Sequence, residues 1–473
     1  MERAHADARA STEGGCMERR VNGRSRLIVV GGDAGGMSAA SQARRRRGPD
    51  DLEILALERG AHTSYSACGI PYLVGKTVSS ADELIARAPD TFRRDYAIDV
   101  RTGTEVTAID LERRVVGMIG GDGMFHEEHF DHLLIATGAV PRRPDLPGAD
   151  AQGIHGVQTL DDGIRLRAEV DERSPRRAVV VGGGYIGLEM AEAFLERGVE
   201  VDLIEAGPEP MGTLDPDMGR LVRDAVCEMG VRFFPGTRVT GFDTKDGRVR
   251  AVLTEDAEFP ADIVVLGMGV RPNSDLARQA GLEVGPTGGI VVDPRMRTSV
   301  EGVWAAGDCV QTVHRISGAP VAIALGTHAN KQGRVAGINI AGGYARFPGV
   351  VGTAITKICG VEVARTGLGE AEARRAGFEF ETVTVRSSTR AGYYPGASMM
   401  TLKLIAERRT GRLLGGQIVG RENAGKRVDV LATALWNEMT VEEMAGMDLG
   451  YAPPFSPVWD PVLVAARKLE GAL

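Results

Sequence analysis

The sequence predicts an α/β protein with two similar βαβ units and a smaller C-terminal α+β domain. Residues from Arg26 to Glu58 read as an apolar strand, a glycine-rich turn, a helix and a second strand, and the same order recurs from Ala178 to Glu205. Beyond Phe347 the pattern changes to alternating strands, followed by a helix near residues 429–438. Strands that alternate with helices are typical of parallel sheets, whereas consecutive strands indicate a separate antiparallel layer.

The chain has the composition of a globular protein large enough for several domains. Of its 473 residues, 43% are hydrophobic and 25% are charged, and this length predicts about three domains. A net charge of −8 disfavours nucleic acid as a partner, because nucleic-acid binding needs a basic surface. No apolar run approaches the ~20 residues of a membrane-spanning helix, so we expect no membrane association.

The five cysteines and the N-terminal segment indicate the compartment. The cysteines form no CxxC pair and no Cys/His cluster, which disfavours a disulfide framework and a metal site and favours a reducing, cytoplasmic environment. The first 25 residues are rich in Arg, Ala and Gly and lack the apolar core of a signal peptide. We expect residues 1–25 to be a disordered extension, in which Met17 is an alternative start.

The glycine turn of the second βαβ unit carries a complete GxGxxG motif at Gly182, Gly184 and Gly187. The first glycine permits a sharp turn, the second lets a pyrophosphate approach the backbone, and the third allows close helix–strand packing. Glu205 follows where a carboxylate accepts hydrogen bonds from a ribose 2′-hydroxyl and repels a 2′-phosphate. The unit is therefore predicted to bind NADH in preference to NADPH, through Gly182, Gly184, Tyr185, Ile186, Gly187, Glu205 and Gly269.

The glycine turn of the first βαβ unit is less regular. Gly31 and Gly36 occupy the outer positions of the motif, but Asp33 replaces the middle glycine. A carboxylate at this position would face the pyrophosphate, so we expect Asp33 either to point away or to cap the following helix. Glu58, at the end of the unit, again suits a ribose contact. The motif alone leaves the ligand of this unit undecided.

Cys68 is the candidate reactive cysteine. It lies in the segment TSYSACGIPYL between small residues and is followed by Gly69 and Pro71, a composition suited to the exposed first turn of a helix. The helix dipole and free N–H groups at such a position favour the thiolate. The other cysteines are interpreted as packing residues, with Cys16 in the extension, Cys227 in an amphipathic helix, Cys309 after Asp308 and Cys359 in a strand-like segment.

Taken in order, these segments resemble the flavoprotein pyridine nucleotide-disulfide oxidoreductases, and among them the single-cysteine branch of coenzyme A-disulfide reductases. VVGGDAGGMSAASQARRR resembles the FAD pyrophosphate loop of that family, SYSACGIPY its redox-cysteine segment, and VVVGGGYIGLE its NADH loop. IATGAVPRRP and AAGDC resemble two further FAD segments, of which the second supplies a contact to the ribityl chain. The resemblance implies FAD binding by Gly31, Gly32, Ala34, Gly35, Gly36, Glu58, Arg59, Thr137, Gly138 and Asp308.

The resemblance also implies the domain organisation. It divides the chain into an FAD-binding domain from residues 26–149 and 272–346, an NAD(P)H-binding domain from residues 150–271, and a dimer-interface domain from residues 347–473. The first two are Rossmann-like dinucleotide-binding domains, and the third is the α+β domain. The expected assembly is a homodimer.

The implied activity is the reduction of coenzyme A disulfide, or of a related low-molecular-weight disulfide or polysulfide, by NADH through FAD. With a single redox cysteine, the oxidised form would be a mixed disulfide between Cys68 and a small thiol. The segments RAGYYPGAS and LGYAPPFSPVWDP are similar to those that reach the partner's cysteine in family dimers. Tyr394 or Tyr393, together with Tyr451, would then donate O–H groups to sulfur, unless they are only interface packing residues.

Substrate contacts are implied for Arg44 or Arg45, in a basic run whose usual meaning is a solvated helix end, and for Ser64 and Ala67 beside the cysteine. Ala67 departs from the pattern, because members that bind coenzyme A commonly carry asparagine there. Another thiol or a persulfide therefore remains an alternative substrate.

Two other functions remain open. One is an NADH oxidase or peroxidase that cycles Cys68 through sulfenic acid, although such enzymes typically have histidine at the position of Ala34. The other is a redox-responsive flavoprotein that serves as a binding module.

Overall fold

The computed structural model describes residues 24–473. Cys16, Met17 and all but the last two residues of the extension predicted for residues 1–25 lie outside the described residues. The first strand begins at Ser25, one residue earlier than the sequence pattern indicated.

The first βαβ unit consists of β1 (Ser25–Val30), α1 (Ala34–Arg44) and β2 (Leu52–Leu57), with β1 and β2 parallel. Consecutive side chains of β1, such as Leu27, Ile28 and Val29, are all fully buried, as expected for a strand covered on both faces. The elements that follow are α2 (Ile70–Val74), α3 (Pro89–Tyr96), β3 (Asp99–Arg101), β4 (Glu105–Asp110), β5 (Val115–Ile119), β6 (Phe125–His129), β7 (His132–Ile135) and β8 (Ala139–Pro141).

The second βαβ unit lies in the next part of the chain. Its elements are β9 (Ile154–His155), α4 (Leu160–Arg173), β10 (Arg177–Val181), α5 (Tyr185–Glu196), β11 (Glu200–Ile204), α6 (Pro216–Glu228), β12 (Arg232–Phe234), β13 (Val239–Lys245), β14 (Arg248–Thr254), β15 (Glu258–Pro260), β16 (Ile263–Leu266) and β17 (Val270–Pro272). A parallel sheet has the strand order β12-β11-β10-β16-β9, and β13–β15 form a separate antiparallel sheet.

The chain then returns to the first sheet. The elements here are α7 (Asp275–Gln279), β18 (Val303–Ala305), β19 (Thr312–Val313), β20 (Pro320–Val321) and α8 (Gly326–Ile340). Strand β18 pairs with β7, which gives the sheet order β18-β7-β1-β2-β3. Helix α8 packs closely on α1, because a Cβ at Gly333 would lie 2.2 Å from the carbonyl oxygen of Gly35. The first sheet is therefore built from two separate stretches of the chain.

The C-terminal region is an antiparallel sheet with helices, as the sequence predicted. Its elements are β21 (Ala354–Ile358), β22 (Val361–Gly367), α9 (Glu370–Arg375), β23 (Phe380–Ser388), β24 (Met399–Glu407), β25 (Leu413–Gly420), α10 (Val428–Trp436), α11 (Val441–Ala445) and α12 (Pro461–Glu470). The strand order is β21-β22-β25-β24-β23. Cys359 is a correction to the sequence interpretation: it lies in the turn between β21 and β22 with φ of +58°, followed by Gly360 at +74°. Two consecutive positive φ angles suit a tight hairpin turn.

Between residues 24 and 473, we find no helix with the length and apolar character needed to span a membrane.

Candidate active site

The two glycine loops have the same backbone geometry. The first glycine of each loop has a positive φ, +112° at Gly31 and +102° at Gly182. A Cβ at the third glycine, Gly36 or Gly187, would lie 1.9 Å from the carbonyl oxygen of the first. Both positions therefore require glycine, and both loops leave the N-terminus of the following helix open to an anion.

Glu58 fixes the first glycine loop to the end of β2. Its carboxylate accepts hydrogen bonds from the backbone N–H of Gly32 at 2.7 Å and of Gly60 at 2.6 Å. Carboxylate oxygens accept more than one hydrogen bond each, so the predicted contact to a ribose hydroxyl is compatible with this role. The neighbouring Arg59 is exposed and lies 3.6 Å from the carboxylate of Glu105.

Glu205 has the same role in the second loop, where it accepts hydrogen bonds from the N–H groups of Gly183 and Gly207, both at 2.7 Å. The residue behind this loop is Gly267, whose carbonyl oxygen would lie 2.5 Å from a Cβ at Gly182. Gly269, which we predicted at this site, has open space around its Cα. Gly267, which directly follows strand β16, packs behind the loop, and the cofactor contact of Gly269 stays a prediction.

The Asp33 side chain does not cap α1, which removes one of the two alternatives expected from the sequence. It occupies the N-cap position without a side-chain cap hydrogen bond, and within residues 24–473 its buried Oδ1 atom has no hydrogen-bond partner. Burial raises the pKa of Asp33 to about 6, and the carboxylates of Glu58 and Asp308 act in the same direction.

Asp308 supplies a second buried carboxyl group near the same loop. Its Oδ1 atom also has no hydrogen-bond partner in the described part of the chain, and burial raises the pKa of Asp308 to about 6. The preceding Ala306 carbonyl oxygen would lie 3.2 Å from a Cβ at Gly35. Unpartnered carboxyl oxygens beside a helix N-terminus suit a ligand that has both hydroxyl groups and a diphosphate. These residues therefore fit FAD.

Thr137 and Gly138 lie behind the first loop. The Thr137 hydroxyl donates a hydrogen bond to the carbonyl oxygen of Asn273 at 2.5 Å, and Gly138 has a φ of +70°. A Cβ at Gly31 would lie 2.1 Å from the carbonyl oxygen of Ala136. The segment that resembles a second FAD contact is thus packed against the first loop, in the position that Gly267 has behind the second.

Cys68 lies in a short 3₁₀ turn, Ala67–Gly69, directly before α2, and its side chain is exposed. Desolvation raises the pKa of the thiol, and the carboxylate of Glu189 raises it further. The expected preference for thiolate is therefore wrong for the single chain: the helix that follows has only five residues, and a nearby carboxylate opposes its dipole.

The cysteine segment is joined to the first glycine loop through Ser64. This residue has a φ of +47°, and its N–H donates to the carbonyl oxygen of Gly32 at 3.2 Å. Its own carbonyl oxygen accepts hydrogen bonds from the N–H groups of Ala86 at 2.9 Å and Arg87 at 3.3 Å. Ser64 therefore holds the redox segment, the first loop and the 86–87 segment together.

A cavity of about 510 Å³ lies between α1, the redox segment and α8. Asp33 and Ala34 border it, and its other polar lining includes Gln42, Arg45, Ser64, Ser66, Arg87, Asn330 and Arg334. None of its three arginines forms an ion pair with a carboxylate of residues 24–473. Sequence reasoning missed Arg87, Asn330 and Arg334, because no motif connects them to the cysteine.

Arg44 and Arg45 have different surroundings. The Arg44 guanidinium donates to four backbone carbonyl oxygens, those of Tyr96, Arg47, Leu52 and Ala97. Arg45 instead lines the cavity. Of the two alternatives left by the sequence, Arg44 holds the end of α1 to its neighbours, and Arg45 is available to a ligand.

Tyr393, Tyr394 and Tyr451 are on the surface of the C-terminal region, with exposed fractions of 79%, 37% and 49%. The phenols of Tyr393 and Tyr451 lie close together, and burial and Tyr451 raise the pKa of Tyr393. Phe455 and Trp459 are also exposed, by 70% and 52%. Several exposed aromatic side chains in one region of the chain are typical of a protein interface.

A chain with an FAD loop, an NAD(P)H loop and an exposed cysteine beside the FAD loop has the features of a flavin-dependent disulfide oxidoreductase. Comparison with known families agrees. Residues 25–333 match the family described as pyridine nucleotide-disulphide oxidoreductase, and residues 353–461 match its dimerisation domain. The chain belongs to this family and is an FAD-dependent NAD(P)H disulfide oxidoreductase, which confirms the resemblance seen in the sequence.

Three curated relatives of this chain have names that state different activities. NAD(P)H sulfur oxidoreductase (CoA-dependent) of Pyrococcus abyssi is 38% identical over 453 residues, covering 96% of this chain and 100% of the relative. NADH oxidase of Methanocaldococcus jannaschii is 34% identical, covering 93% and 98%. Coenzyme A disulfide reductase of Staphylococcus haemolyticus is 28% identical, covering 91% and 96%.

A solved structure gives the same picture of the fold. The NAD-dependent persulfide reductase from A. fulgidus superimposes with a TM-score of 0.91 and 40% sequence identity, covering 94% of this chain and 83% of that chain.

Proposed function

We propose that this enzyme reduces coenzyme A disulfide, or a coenzyme A persulfide or polysulfide, through a mixed disulfide between Cys68 and coenzyme A. The observation that carries this proposal is the arginine-lined cavity, which reaches Ser64 and Ser66 in the cysteine segment. The relative from Pyrococcus abyssi, whose activity is CoA-dependent by name, supports the same thiol.

The cavity has the charge that coenzyme A requires. Coenzyme A carries a diphosphate and a 3′-phosphate, and Arg45, Arg87 and Arg334 present three guanidinium groups to the cavity. Guanidinium groups form strong, charge-assisted hydrogen bonds with phosphate. Asn330 also lines the cavity, so an amide is available although Ala67 supplies none. Arg44 has no part in this proposal.

The chemistry at Cys68 follows disulfide exchange. When bound, FAD conveys an electron pair from NADH to the disulfide. That pair breaks the bond between Cys68 and the thiol, which leaves with a proton and frees the Cys68 thiolate. The thiolate then attacks the incoming disulfide, forms a new mixed disulfide and releases the second thiol. In sum, one NADH and one proton reduce one disulfide to two thiols.

We also propose that the active unit is a homodimer in which each chain completes the site of its partner. In the single chain, desolvation and Glu189 both disfavour the Cys68 thiolate, so the reaction needs further donors. The exposed phenols of Tyr394 and Tyr451 are suited to supply them in the partner subunit. Tyr393, whose side chain is 79% exposed beside Tyr451, is the alternative donor to Tyr394.

The FAD-binding and NAD(P)H-binding roles inferred from the sequence, and the division into residues 26–149, 150–271, 272–346 and 347–473, form part of this proposal. The return of β18 to the first sheet supports an FAD-binding domain built from two stretches. NADH is the expected donor and NADPH a weaker one, because Glu205 presents a carboxylate at the ribose side of its loop. A cytoplasmic location is the expected setting for a reactive, free cysteine.

Mass spectrometry of the intact, non-reduced protein tests the thiol. The expected result is an adduct with the mass of coenzyme A that is lost on reduction and is absent from Cys68→Ser. Cys227→Ser is the matched control, because this exposed cysteine lies on α6 and should not carry the adduct. A different thiol mass on Cys68 would contradict the coenzyme A assignment.

The second candidate function is an NADH oxidase, which the relative from Methanocaldococcus jannaschii favours by name. It predicts a sulfenic or sulfinic acid on Cys68 and NADH consumption that depends on oxygen. Anaerobic turnover with coenzyme A disulfide separates the two functions, since only the reductase continues without oxygen.

A further inference from the structure

The segment from Pro210 to Asp217 links the NADH loop to the C-terminal domain. On one side it contacts the second glycine loop, where the N–H of Met211 donates to the carbonyl oxygen of Gly183 at 2.7 Å. The side chain of Thr213 lies beside the phenol of Tyr185, the first residue of α5. The position of this 210–217 segment therefore determines how the loop and Tyr185 are held.

On its other side, the 210–217 segment is bound to strands of the C-terminal sheet. Asp215 and Gln417 form two hydrogen bonds with each other. The backbone N–H of Asp215 donates to Oε1 of Gln417, and the side-chain amide of Gln417 donates to Oδ2 of Asp215, both at 2.8 Å. The Arg365 guanidinium donates to the carbonyl oxygen of Thr213 at 2.6 Å. The segment thus has partners in the C-terminal domain at Thr213 and Asp215.

A buried ammonium group completes the junction. The side chain of Lys403 is only 4% exposed, and its Nζ lies 2.7 Å from Asp217, 2.7 Å from Glu370 and 3.1 Å from Asp215. Charges of this kind are costly to bury, and apolar residues of similar size would often stabilise a fold as well. What the ionic cluster adds is a defined orientation, because its donors and acceptors must meet in one arrangement.

We propose that Lys403, Asp217 and Gln417 are positioning residues for NADH: the C-terminal domain shapes the NADH site of its own chain through the 210–217 segment. None of these side chains contacts the glycine loop directly. They act mainly through Met211, which is hydrogen-bonded to the loop, and also through Thr213, which lies beside Tyr185. The C-terminal domain would then serve both parts of the reaction, the thiol side through its surface tyrosines and the NADH side through this cluster.

The test measures the reaction of the FAD-loaded enzyme with NADH by anaerobic rapid mixing, without any disulfide. The loss of flavin absorbance gives an apparent Kd for NADH and a limiting rate. For Lys403→Gln, the expected result is an apparent Kd about tenfold higher than in the parent enzyme, and for Asp217→Asn about threefold higher. Reoxidation of the reduced enzyme by coenzyme A disulfide should change less than twofold in either variant.

Glu381→Gln is the matched control. It removes a carboxylate that pairs with Arg408 on the same sheet, without a contact to the 210–217 segment. Asp217 is half exposed, so its variant keeps the test decisive if Lys403→Gln does not fold. A lower melting temperature with an unchanged Kd for NADH would overturn the proposal, as would an equal increase in the control. The measurement needs no knowledge of the thiol, so its failure is distinguishable from failure of the proposed substrate.

Discussion

The first and second glycine loops differ at the middle position, Asp33 in one and Gly184 in the other, while their remaining geometry is shared. At the outer positions, added side chains would meet backbone atoms of the protein itself. At Gly184, the nearest atom to a Cβ is 3.9 Å away, so no protein atom excludes a side chain. The outer glycines are thus required by the fold, and the middle one only by the ligand.

Substitution of the outer glycines should have the largest effect, and it should affect a different cofactor in each loop. Gly36→Ala and Gly187→Ala place the same methyl group against the same kind of carbonyl oxygen. We expect Gly187→Ala to retain FAD but to slow flavin reduction by NADH about 100-fold, since small displacements in a reacting complex have effects of this size. Gly36→Ala should be purified with little FAD.

Flavin absorbance per chain and anaerobic rapid mixing with NADH check this pair. Gly48→Ala, at an open position beyond α1, is the control. Normal FAD content in Gly36→Ala would show that the two loops are not equivalent.

Asp33 should make the stability of the first unit depend on pH. The pKa of Asp33 in the folded, flavin-free protein is raised to about 6, above its ordinary value of 3.8. An acid with a raised pKa in the folded state costs nothing below its unfolded pKa, and its cost develops as the pH rises through the folded pKa. Asp33→Asn should therefore stabilise the flavin-free protein by about 2 kcal/mol above pH ~6 and hardly at all near pH 4.

Urea unfolding of the flavin-free protein at the two pH values measures this effect, with the exposed Asp50→Asn as control. Equal stabilisation at both pH values would mean that Asp33 acts through packing and not through its charge.

Glu205 offers a smaller test, directed at the second loop alone. Glu205→Gln keeps the size of the side chain but removes the negative charge that opposes a 2′-phosphate. We expect the ratio of kcat/KM for NADPH to that for NADH to rise about tenfold. The matching change Glu58→Gln should leave this ratio as it was, because Glu58 belongs to the first loop. Steady-state kinetics of each variant with NADH and with NADPH measure this ratio.

Substitution of Arg45, which directly follows α1, should have the smallest of the expected effects. Arg45→Ala removes one exposed guanidinium group from the cavity, so we expect KM for coenzyme A disulfide to rise about fivefold with KM for NADH unchanged. Arg44→Ala should instead lower the melting temperature, because it leaves partly buried carbonyl oxygens without this donor. A raised KM for coenzyme A disulfide in Arg44→Ala, with a lowered melting temperature in Arg45→Ala, would contradict this assignment of roles.

Both βαβ units were predictable because their signals are local. Glycine spacing, continuous apolar strands and a terminal glutamate all lie within about 30 residues, and a hairpin or a βαβ unit needs little more. The cavity was not predictable, because Ser38 on α1 meets Asn330 on α8 at 2.6 Å across most of the chain. Successive side chains on a helix point ~100° apart, so Arg44 and Arg45 have different surroundings. The sequence did not distinguish them, because it does not show which of the two directions faces the cavity. The raised pKa of Cys68 comes first from desolvation and then from Glu189, and both depend on packing that the local sequence of the cysteine segment does not show.

The contact between α1 and α8 has a consequence for the order of events during synthesis. The last strand of the first sheet, Val303–Ala305, leaves the ribosome long after the first, Ser25–Val30. The second unit is contiguous in the chain and has its complete sheet by Leu266. We therefore expect the nascent chain to assemble its second unit first, while the apolar face of α1 stays uncovered until α8 arrives. Gly333 and Gly337 then let the two helices approach closely enough to cover it.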